Sequence, residues 1–368
     1  MPAHPFIEQI TIHGYKSFRH LDLLLRPSVN VLIGANGAGK SNFIGLFRML
    51  RRMMSGELQL YVAQAGGADQ LLHYGRKATE ELVLKLRIAT GAGISRYTCR
   101  LVPAEDNLLI AGEQARFSDD PMPRSAGAPS PESRLPRWAV DDRNARRLYE
   151  MLSGWRVYHF HDTSAGARVK QMGDIHQNDA LLEDAGNLAA YLYLLRERHP
   201  GHYQTIVETI RLAAPFFGDF VLRPHPLNPE KIRLEWRERG SDLIFGPDAL
   251  SDGTLRFICL VTLLLQPAER LPSLIILDEP ELGLHPYAIR LLASMTRTAA
   301  AEGVQVILAT QSVTLVNQFT PNEVLVVERA EGVSTIRQLD EAALAGWLED
   351  YGLGDLWDKS VFGGHPRR

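Results

Sequence analysis

The first hundred residues alternate apolar and polar positions in a pattern that predicts a sheet-rich N-terminal segment. Residues 6–33 form short alternating runs, which are typical of half-buried antiparallel strands. The last of these runs, residues 29–33, is mostly apolar and predicts a buried strand. Apolar positions at helical spacing then predict a helix over 42–54, and two further alternating runs predict strands over 81–89 and 96–102.

The periodicity changes after these strands. Residues 113–137 are rich in Pro, Ser, Gly and Arg and lack helical or strand periodicity, which predicts a surface excursion or mobile loop. Helical and strand-like runs then alternate. The predicted helices cover about 141–153, 187–213 and 257–265, and the predicted strands lie at 156–161, 219–224, 231–236, 274–277 and 304–308. The pattern is typical of an α/β protein.

A phosphate-binding sequence lies between the strand at 29–33 and the helix at 42–54. Residues 34–41 read GANGAGKS and match G-x-x-x-x-G-K-[ST] at every fixed position. Glycines let the backbone wrap closely around phosphate oxygens, Lys40 would bridge the β- and γ-phosphates, and Ser41 would ligate Mg²⁺. The N-terminus of the following helix adds its dipole. The residues predicted to bind the nucleotide here are Asn36, Gly37, Ala38, Gly39, Lys40, Ser41 and Asn42.

A pair of carboxylates follows a second apolar strand. The run LIILDEPE, residues 274–281, predicts a buried strand that ends at Asp278 and Glu279. Asp278 can hold Mg²⁺, while Glu279 is placed to polarise a water for in-line attack on the γ-phosphate. A hydrophobic strand that ends in Asp-Glu is common, so the catalytic interpretation depends on the phosphate loop. Together the two motifs predict ATP and Mg²⁺ as cofactors.

The run L-S-D-G-T-L-R, residues 250–256, lies directly ahead of the apolar helix at 257–265. Ser251 and Gly253 would lie at a helix N-terminus, where backbone N–H groups and a hydroxyl can bind a γ-phosphate. A plain N-cap is the alternative, since Ser and Asp commonly precede apolar helices. The order of motifs favours the first interpretation. Asp278 follows Ser251 by 27 positions, and a further strand ends before Gln311, as in the ABC ATPases that this run resembles.

Composition limits the function without defining it. A length of 368 residues favours two domains, and a 45% hydrophobic content can bury a substantial core. The formal net charge of −3 shows no global basic field, so any nucleic-acid contact is expected to be local. Cys99 and Cys259 lie in apolar patterns and are expected to be reduced core thiols. No targeting segment or membrane-length apolar run is evident, which predicts a cytoplasmic protein without membrane contact.

The motifs together resemble those of the RecF/SMC-like AAA family ATPases, bacterial ABC-type heads associated with DNA repair and phage defence. The residues that carry the resemblance are Tyr15-Lys16-Ser17-Phe18, Gly75-Arg76-Lys77, residues 251–256, residues 278–286 and Thr310-Gln311-Ser312. The resemblance implies an α/β, ABC-type P-loop NTPase head: a mixed sheet with helices on both faces, an N-terminal antiparallel β subdomain and an inserted, largely helical lobe. We place the divisions at residues 1–102, 103–215 and 216–368, with the mobile loop 113–137 in the inserted lobe.

The same resemblance implies an ATPase that forms a homodimer around ATP, with Ser251 of one protomer completing the site of the other. The family normally has a switch histidine after its last strand, and Gln311 occupies that position here. We expect Gln311 to be catalytic beside Glu279, and hydrolysis to be slow because Gln has no switchable charge. His285 is either catalytic or a turn residue. The Q-loop role is open between Gln70 and the stretch 159–164, and its position favours the stretch.

Other classes of ATPase fit the spacing less well. Ser251 follows Ser41 by 210 positions, a longer interval than transporter subunits use, which indicates an inserted lobe. No long heptad run supplies the coiled coil of a full SMC protein. The 56 residues after Ser312 lack the acidic cluster of a Toprim nuclease domain.

Basic residues concentrate in the inserted lobe, with aromatic residues between them. The basic residues are Arg134, Arg137, Arg143, Arg146, Arg147, Arg156, Arg168 and Lys170. They form either a DNA- or RNA-binding surface or the solvated faces of helices. Two function classes therefore stay open. One is an ATPase that acts directly on nucleic acid in DNA repair or anti-phage defence, and the other is a regulatory or scaffold subunit for a separate effector protein, such as a toxin or nuclease.

Overall fold

The computed structural model describes residues 5–91, 93–118, 120–339, 341–348 and 350–363. The chain divides into two compact units, each built from segments that are discontinuous in sequence. The first unit comprises Met1–Val157, Pro272–Ile276 and Gly303–Arg368, and the second comprises Tyr158–Leu271 and Leu277–Glu302.

The first unit contains two sheets and the helices packed on them. Its strands are β1 (Phe6–Tyr15), β2 (Phe18–Leu24), β3 (Val29–Ile33), β4 (Leu82–Thr90), β5 (Gly93–Ala104), β6 (Asn107–Phe117), β7 (Asp120–Ser125), β8 (Arg156–Tyr158), β15 (Leu274–Asp278), β16 (Gln305–Thr310), β17 (Val324–Ala330) and β18 (Val333–Gln338). The last residue of β8 and the last two residues of β15 are assigned to the second unit. Its helices are α1 (Lys40–Met54), α2 (Leu58–Gln64), α3 (Leu135–Asp141), α4 (Arg143–Gly154), α9 (Val313–Val316), α10 (Glu341–Leu348) and α11 (Leu353–Asp358).

An antiparallel sheet of order β2-β1-β4-β5-β6-β7 forms one side of the first unit. Strand alternation sets its two faces: every second residue of β4, from Leu82 to Ile88, is buried, whereas Lys85 is exposed and Arg87 half-buried. A sheet with this pattern packs one face on the core and exposes the other to solvent. The predicted N-terminal antiparallel segment is therefore present, and β5 to β7 extend it.

The second sheet of this unit has the order β18-β17-β3-β16-β15-β8. Strand β3 lies between β16 and β17 and runs parallel to both. All five residues of β3 are buried, as expected for a central strand covered on both faces. The carboxyl end of β3 is consequently fixed by two neighbouring strands, and the phosphate loop starts there.

Helix α1 anchors the phosphate loop to the core of the first unit. Its buried face carries Phe43 and Phe47, whose rings meet edge to face at 5.4 Å between centroids. Phe47 in turn contacts Trp155 at 5.8 Å, and Phe43 contacts Phe18 at 6.4 Å. Buried aromatic pairs of this kind add to the free energy gained from apolar burial, so the start of α1 is held firmly.

The second unit contains helices and two small sheets. Its strands are β9 (Gly173–Asp174), β10 (Phe217–Phe220), β11 (Pro224–His225), β12 (Asn228–Ile232), β13 (Trp236–Glu238) and β14 (Ile244–Phe245), in the orders β10-β13-β14 and β11-β12-β9. Its helices are α5 (Leu188–Arg198), α6 (Pro200–Ala213), α7 (Asp252–Leu264) and α8 (Pro286–Ala301). Helix α7 contacts α6 and α8 and is buried around most of its circumference, which its apolar sequence requires.

Two of the predicted elements differ from the structure. The predicted helix over 187–213 is two helices that meet at His199, because Pro200 lacks the N–H that would continue α5 and instead starts α6. The predicted loop over 113–137 is wrong in extent, because, of its described residues, only 126–134 lie outside helices and strands over a continuous run. Its residues continue β6 as far as Phe117, form β7 and start α3 at Leu135. Strand β7 lies at the sheet edge, where proline is tolerated.

The predicted divisions at 102/103 and 215/216 differ from the two units. Residues 102 and 103 lie inside β5, since the antiparallel sheet continues through β6 and β7. Helices α3 and α4 also belong to the first unit, and the second unit starts only at Tyr158. Besides α5 and α6, that unit carries two small sheets and α7.

Two expectations from composition can be compared with the structure. Cys99 and Cys259 are both free and buried, as predicted. Burial raises the pKa of each thiol well above its ordinary value, so both side chains are neutral core residues. Among the helices in the described ranges, none has the length and apolar content needed to span a membrane.

Candidate functional site

The phosphate loop connects the end of β3 to the start of α1, and its lysine is buried. Lys40 is only 5% exposed, and its ammonium group donates to the carbonyl oxygens of Gly34 and, at 3.1 Å, Ala35. Gly39 is the N-cap residue of α1, so no side chain caps the helix, and its first turn carries no acidic residue. A helix N-terminus of this kind presents backbone N–H groups and a positive dipole end to an anion.

Three glycines of the loop have different structural roles. A Cβ atom on Gly34 would lie 2.3 Å from the Val327 carbonyl oxygen, and one on Gly39 would lie 2.4 Å from Ser334 Oγ. Gly37 is exposed, has a φ of 77° and would meet nothing within 4 Å. Gly37 therefore supplies a left-handed backbone, and Gly34 lets β17 approach the loop. Gly39 has both roles, because its φ is 122° and Ser334 of β18 lies beside it.

Side chains outside the loop also hold it in place. Ser334 is fully buried, and its hydroxyl donates to the Ala38 carbonyl at 2.6 Å. Its backbone N–H donates to the Ser17 carbonyl at 2.7 Å, and the Asn42 amide donates to Ser17 Oγ at 2.8 Å. Sequence reasoning missed Ser334, because it lies 296 positions from Ala38 and belongs to no motif. Ser17, in contrast, belongs to a motif already singled out.

A cavity of about 770 Å³ opens beside the loop within the first unit. Asn42 forms part of its wall, and its lining contains more cations than acids. The cationic lining residues are Lys16, Arg76, Lys77 and Arg329, and the acidic one is Asp69. Arg76 Nε donates to Asp69 Oδ1 at 2.9 Å, which lowers the pKa of that carboxyl. The volume lies in the range of small-molecule sites, and the charge suits an anionic ligand.

Two residues of the cavity wall have strained backbones. Lys16 and Tyr74 adopt positive φ angles of 47° and 57°. Such conformations cost of order 1–3 kcal/mol for residues other than glycine and concentrate at functional sites. Burial, together with the nearby Arg48, lowers the pKa of Lys16. Lys16 and Tyr74 directly precede Ser17 and Gly75, which also line the cavity, so the strain lies next to the candidate site.

Gln311 leaves the central sheet at the same edge as the phosphate loop. It follows β16, which runs parallel to β3 with Thr310 opposite Ile33. The structure thus places Gln311 and Gly34 at neighbouring strand ends in the first unit. The role of Gln311 in hydrolysis stays a prediction.

The signature-like residues lie in the second unit, at the start of α7. Ser251 is the N-cap of this helix, and its hydroxyl accepts from the Thr254 N–H at 3.1 Å. This is the geometry of the plain N-cap alternative, and it leaves the phosphate role of Ser251 a prediction. A Cβ atom on Gly253 would lie 2.2 Å from the Gly283 carbonyl oxygen. Gly253 is therefore required where α7 packs on the turn after β15.

The two carboxylates predicted for metal binding and catalysis also lie in the second unit. Asp278 ends β15, and Glu279 follows with a φ of 44°. The structure brings His161 to them: its Nε2 lies 2.9 Å from the Asp278 carbonyl oxygen. The stretch 159–164, which was favoured for the Q-loop role, therefore contacts this turn. Gln70, the alternative, lines the cavity of the first unit.

His285 has a structural role in this arrangement. It is the N-cap of α8, and its Nδ1 accepts from the Tyr287 N–H at 3.2 Å. Pro286 follows at the first helical position, where its missing N–H costs nothing. The geometry therefore favours the turn role over the catalytic one.

The basic residues of the predicted lobe do not form one surface within one unit. Residues 134–156 belong to the first unit, whereas Arg168 and Lys170 belong to the second. Arg146 and Arg156 donate to backbone carbonyls, Arg168 pairs with Asp184, and Lys170 is buried. These contacts orient four of the eight basic residues, and the choice between a nucleic-acid surface and solvated helix faces stays a prediction.

The central parallel strands, the phosphate loop after β3 and the antiparallel sheet give the chain the fold of an ABC-type P-loop ATPase head. A solved SmcHead bound to the C-winged helix domain of ScpA matches 92% of this chain and 99% of its own, with 14% identity and a TM-score of 0.64. A Pyrococcus furiosus Smc head domain bound to the C-terminal domain of ScpA matches 94% and 99%, with 14% identity and a TM-score of 0.59. The predicted fold class is confirmed.

The chain belongs to the family described as "AAA domain, putative AbiEii toxin, Type IV TA system", which matches residues 29–85 and 105–317. The DNA replication and repair protein RecF of Renibacterium salmoninarum is 33% identical over 152 residues, covering 33% of this chain and 37% of the relative. RecF of Lactobacillus johnsonii is 25% identical over 203 residues, 53% of each chain. The chain thus spans between 37% and 53% of the length of these relatives. The predicted RecF/SMC-like AAA family is confirmed.

Proposed function

We propose that this chain binds ATP with Mg²⁺ at residues 34–41 and hydrolyses it. The observation that carries the proposal is the buried ammonium of Lys40 beside an α1 N-terminus without a capping side chain. Both features favour a bound anion, because backbone N–H groups of a glycine-rich loop at a helix N-terminus can bind phosphate oxygens. The cationic cavity next to Asn42 is large enough for the remainder of a nucleotide.

Ser41 and Asp278 would hold the Mg²⁺ ion, which would neutralise part of the negative charge on the phosphates. Among the side chains of the described ranges, no group of three or more His, Cys, Asp or Glu could hold a metal without help. This agrees with a site completed by the nucleotide, because Mg²⁺ usually binds one or two protein ligands plus phosphate oxygens and water.

Glu279 would act as the general base. It accepts a proton from water as the water oxygen bonds to the γ-phosphorus, and the bond from that phosphorus to the β–γ bridging oxygen breaks. The products are ADP and inorganic phosphate. Gln311 would donate a hydrogen bond to the γ-phosphate without changing its own charge, so turnover is expected to be slow.

We further propose that two copies of the chain close around ATP. In this arrangement Ser251 and Gly253 of one protomer bind the γ-phosphate held by the phosphate loop of the other. Both residues lie at the start of α7, where the Ser251 hydroxyl caps the Thr254 N–H and Asp252 adds an acid to the first turn. The proposal therefore depends on the order and spacing of the motifs rather than on this helix N-terminus.

Substitution of Glu279 by Gln tests the function. We expect the variant to bind ATP, to lose hydrolysis by about 10²-fold or more and to accumulate as an ATP-bound dimer. Phosphate release and light scattering with Mg²⁺ and ATP measure the two effects. Glu302→Gln, at an exposed position after α8, is the matched control. Absence of hydrolysis by the unaltered chain would overturn the proposal, and normal turnover in Glu279→Gln would remove Glu279 from it.

Direct action on nucleic acid is a second proposal, favoured by a row of arginines on the antiparallel sheet. Arg87, Arg96 and Arg116 lie directly opposite one another on β4, β5 and β6. Arg87 pairs with Glu8 at 2.6 Å, whereas Arg96 and Arg116 are exposed and form no ion pair within the ranges that the structure describes. Like charges placed directly opposite destabilise a sheet, so this row suits a phosphate backbone.

The cellular role proposed here is DNA maintenance or anti-phage defence. The names of the RecF relatives specify DNA replication and repair, and the arginine row favours direct contact with DNA. The alternative is a regulatory ATPase subunit for a separate toxin or nuclease without nucleic-acid contact of its own. Hydrolysis that rises on addition of DNA to the chain alone supports the first role, and indifference to DNA supports the second.

A further inference from the structure

A histidine that belongs to none of the three ATPase motifs contacts the turn that carries both carboxylates. His161 Nε2 lies 2.9 Å from the Asp278 carbonyl oxygen, although 117 positions separate the two residues. A carbonyl oxygen only accepts, so Nε2 must carry the hydrogen and donate it. This carbonyl belongs to the peptide unit that immediately precedes Glu279.

The orientation of that peptide unit fixes the backbone of Glu279. Glu279 adopts a φ of 44°, a left-handed conformation that costs a non-glycine residue of order 1–3 kcal/mol and persists only when neighbouring groups enforce it. The bond from His161 restrains the peptide plane next to this torsion. The direction in which the two carboxylates point therefore depends on the His161 donor.

Arg256 holds His161 in the position from which it donates. The Arg256 guanidinium donates to the Phe160 carbonyl at 3.1 Å, to the His161 carbonyl at 2.9 Å and to the Leu282 carbonyl at 3.2 Å. Arginine presents its donors in a rigid planar fork, so these bonds fix three backbone points at once. One side chain from α7 thereby fastens both the His161 segment and the far end of the carboxylate turn.

We propose that His161 is a positioning residue for Asp278 and Glu279. It acts by donating a hydrogen bond to the peptide between them, and Arg256 holds His161 in place through hydrogen bonds to the Phe160 and His161 carbonyls. The catalytic consequence rests on the proposed ATPase function, whereas the restraint on the turn does not. A small cavity lined by His161, Arg256, Asp278 and Glu279 shows that these groups face one another within the second unit.

Amide and apolar substitutions of His161 separate donation from packing. His161→Leu removes the donor at similar volume, His161→Gln keeps an N–H with comparable reach, and His161→Asn keeps an N–H that is one methylene too short. We expect the Leu and Asn variants to lose about 10- to 100-fold in kcat with the KM for ATP little changed, because such supporting bonds carry effects of this size. His161→Gln should recover most of the activity.

Hydrogen exchange of the nucleotide-free chain is the second readout. Backbone amides of residues 278, 279 and 281–283 should exchange faster in the Leu and Asn variants than in the Gln variant or the unaltered chain. His176→Leu is the control, because His176 is exposed and its Nε2 contacts Glu230 Oε2, at 3.0 Å, rather than the carboxylate turn. Should the Leu variant fold poorly, the Gln and Asn pair carries the comparison.

The outcomes distinguish the two proposals. Equal exchange and equal kcat in all variants would overturn the role of His161, as would equal losses in the Gln and Leu variants. Faster exchange in Leu and Asn, in a chain that hydrolyses no ATP, would support the restraint on the turn and overturn the ATPase proposal instead.

Discussion

The ammonium group of Lys40 is held by the carbonyl oxygens of its own loop. These dipoles offset part of the cost of burying a cation, but a phosphate carries full negative charge and forms stronger, charge-assisted hydrogen bonds. The side chain is consequently already placed and desolvated before an anion arrives. A preorganised cation of this kind loses little conformational entropy on binding.

Lys40→Ala is expected to weaken ATP binding by about 10- to 100-fold, since a hydrogen bond to a charged group contributes about 1.5–3 kcal/mol. Titration calorimetry with ATP and Mg²⁺ measures the change. Lys40→Met keeps most of the buried stem and serves as the control for packing, so both variants should lose affinity while only Ala leaves a cavity. An unchanged dissociation constant in both would contradict a phosphate-binding role.

The local backbone requirements of the motif residues could be predicted from sequence, whereas their packing could not. The glycine and lysine pattern at 34–41 depends on local backbone requirements, which spacing reveals. The reasons for Gly34 and Gly253 involve carbonyl oxygens at Val327 and Gly283, on other elements. The contact of His161 with Asp278 likewise depends on the fold. Local periodicity carries no signal for such long-range contacts.

At the scale of elements, alternation along the strands predicted the antiparallel sheet but not its extent. Strands β1, β4 and β5 carry regular apolar and polar positions, so their buried faces could be predicted. Strand β7 contains two prolines and lies at the edge, where pairing on one side alone imposes little pattern. Cross-strand register also required the structure, and it places the arginines in one row.

The arginine row leads to a prediction that separates function from stability. The double variant Arg96→Gln with Arg116→Gln should bind a fluorescent DNA duplex or single strand more weakly. The slope of log affinity against log salt concentration should fall by the amount expected for the loss of about two phosphate contacts. Thermal stability should stay equal or rise, because a like-charge pair is removed. Arg198→Gln with Arg239→Gln, two exposed arginines of the second unit, is the control. Equal DNA affinity in both double variants would exclude the row as a nucleic-acid contact.

At the scale of the whole molecule, the predicted site residues are divided between the two units. Lys40, Ser41 and Gln311 belong to the first unit, whereas Ser251 and Asp278 belong to the second. Each unit alone carries only part of the proposed chemistry. The proposed homodimer adds a further division, because it assigns the phosphate loop and the signature residues of one ATP site to different protomers. If this homodimer forms, ATP hydrolysis requires two chains.

Mixing two inactive variants tests this division. Ser251→Arg should leave ATP binding intact but block dimer closure, because a bulky side chain replaces the hydroxyl at the start of α7. Lys40→Ala should instead bind ATP about 10- to 100-fold more weakly, so the mixing is done at an ATP concentration that leaves its phosphate loop empty. A heterodimer of the two contains one site with an intact phosphate loop and an intact signature, so partial hydrolysis and ATP-dependent assembly should return on mixing.

Assembly has to be measured beside turnover in this experiment. An enzyme that hydrolyses ATP only when both of its sites are intact would regain ATP-dependent assembly on mixing but not hydrolysis. Light scattering reports the first quantity and phosphate release the second. Each variant mixed with the unaltered chain provides the control for subunit exchange. If Ser251→Arg is fully active alone and mixing restores neither quantity, Ser251 is only the cap of α7, a role that its bond from Thr254 already satisfies.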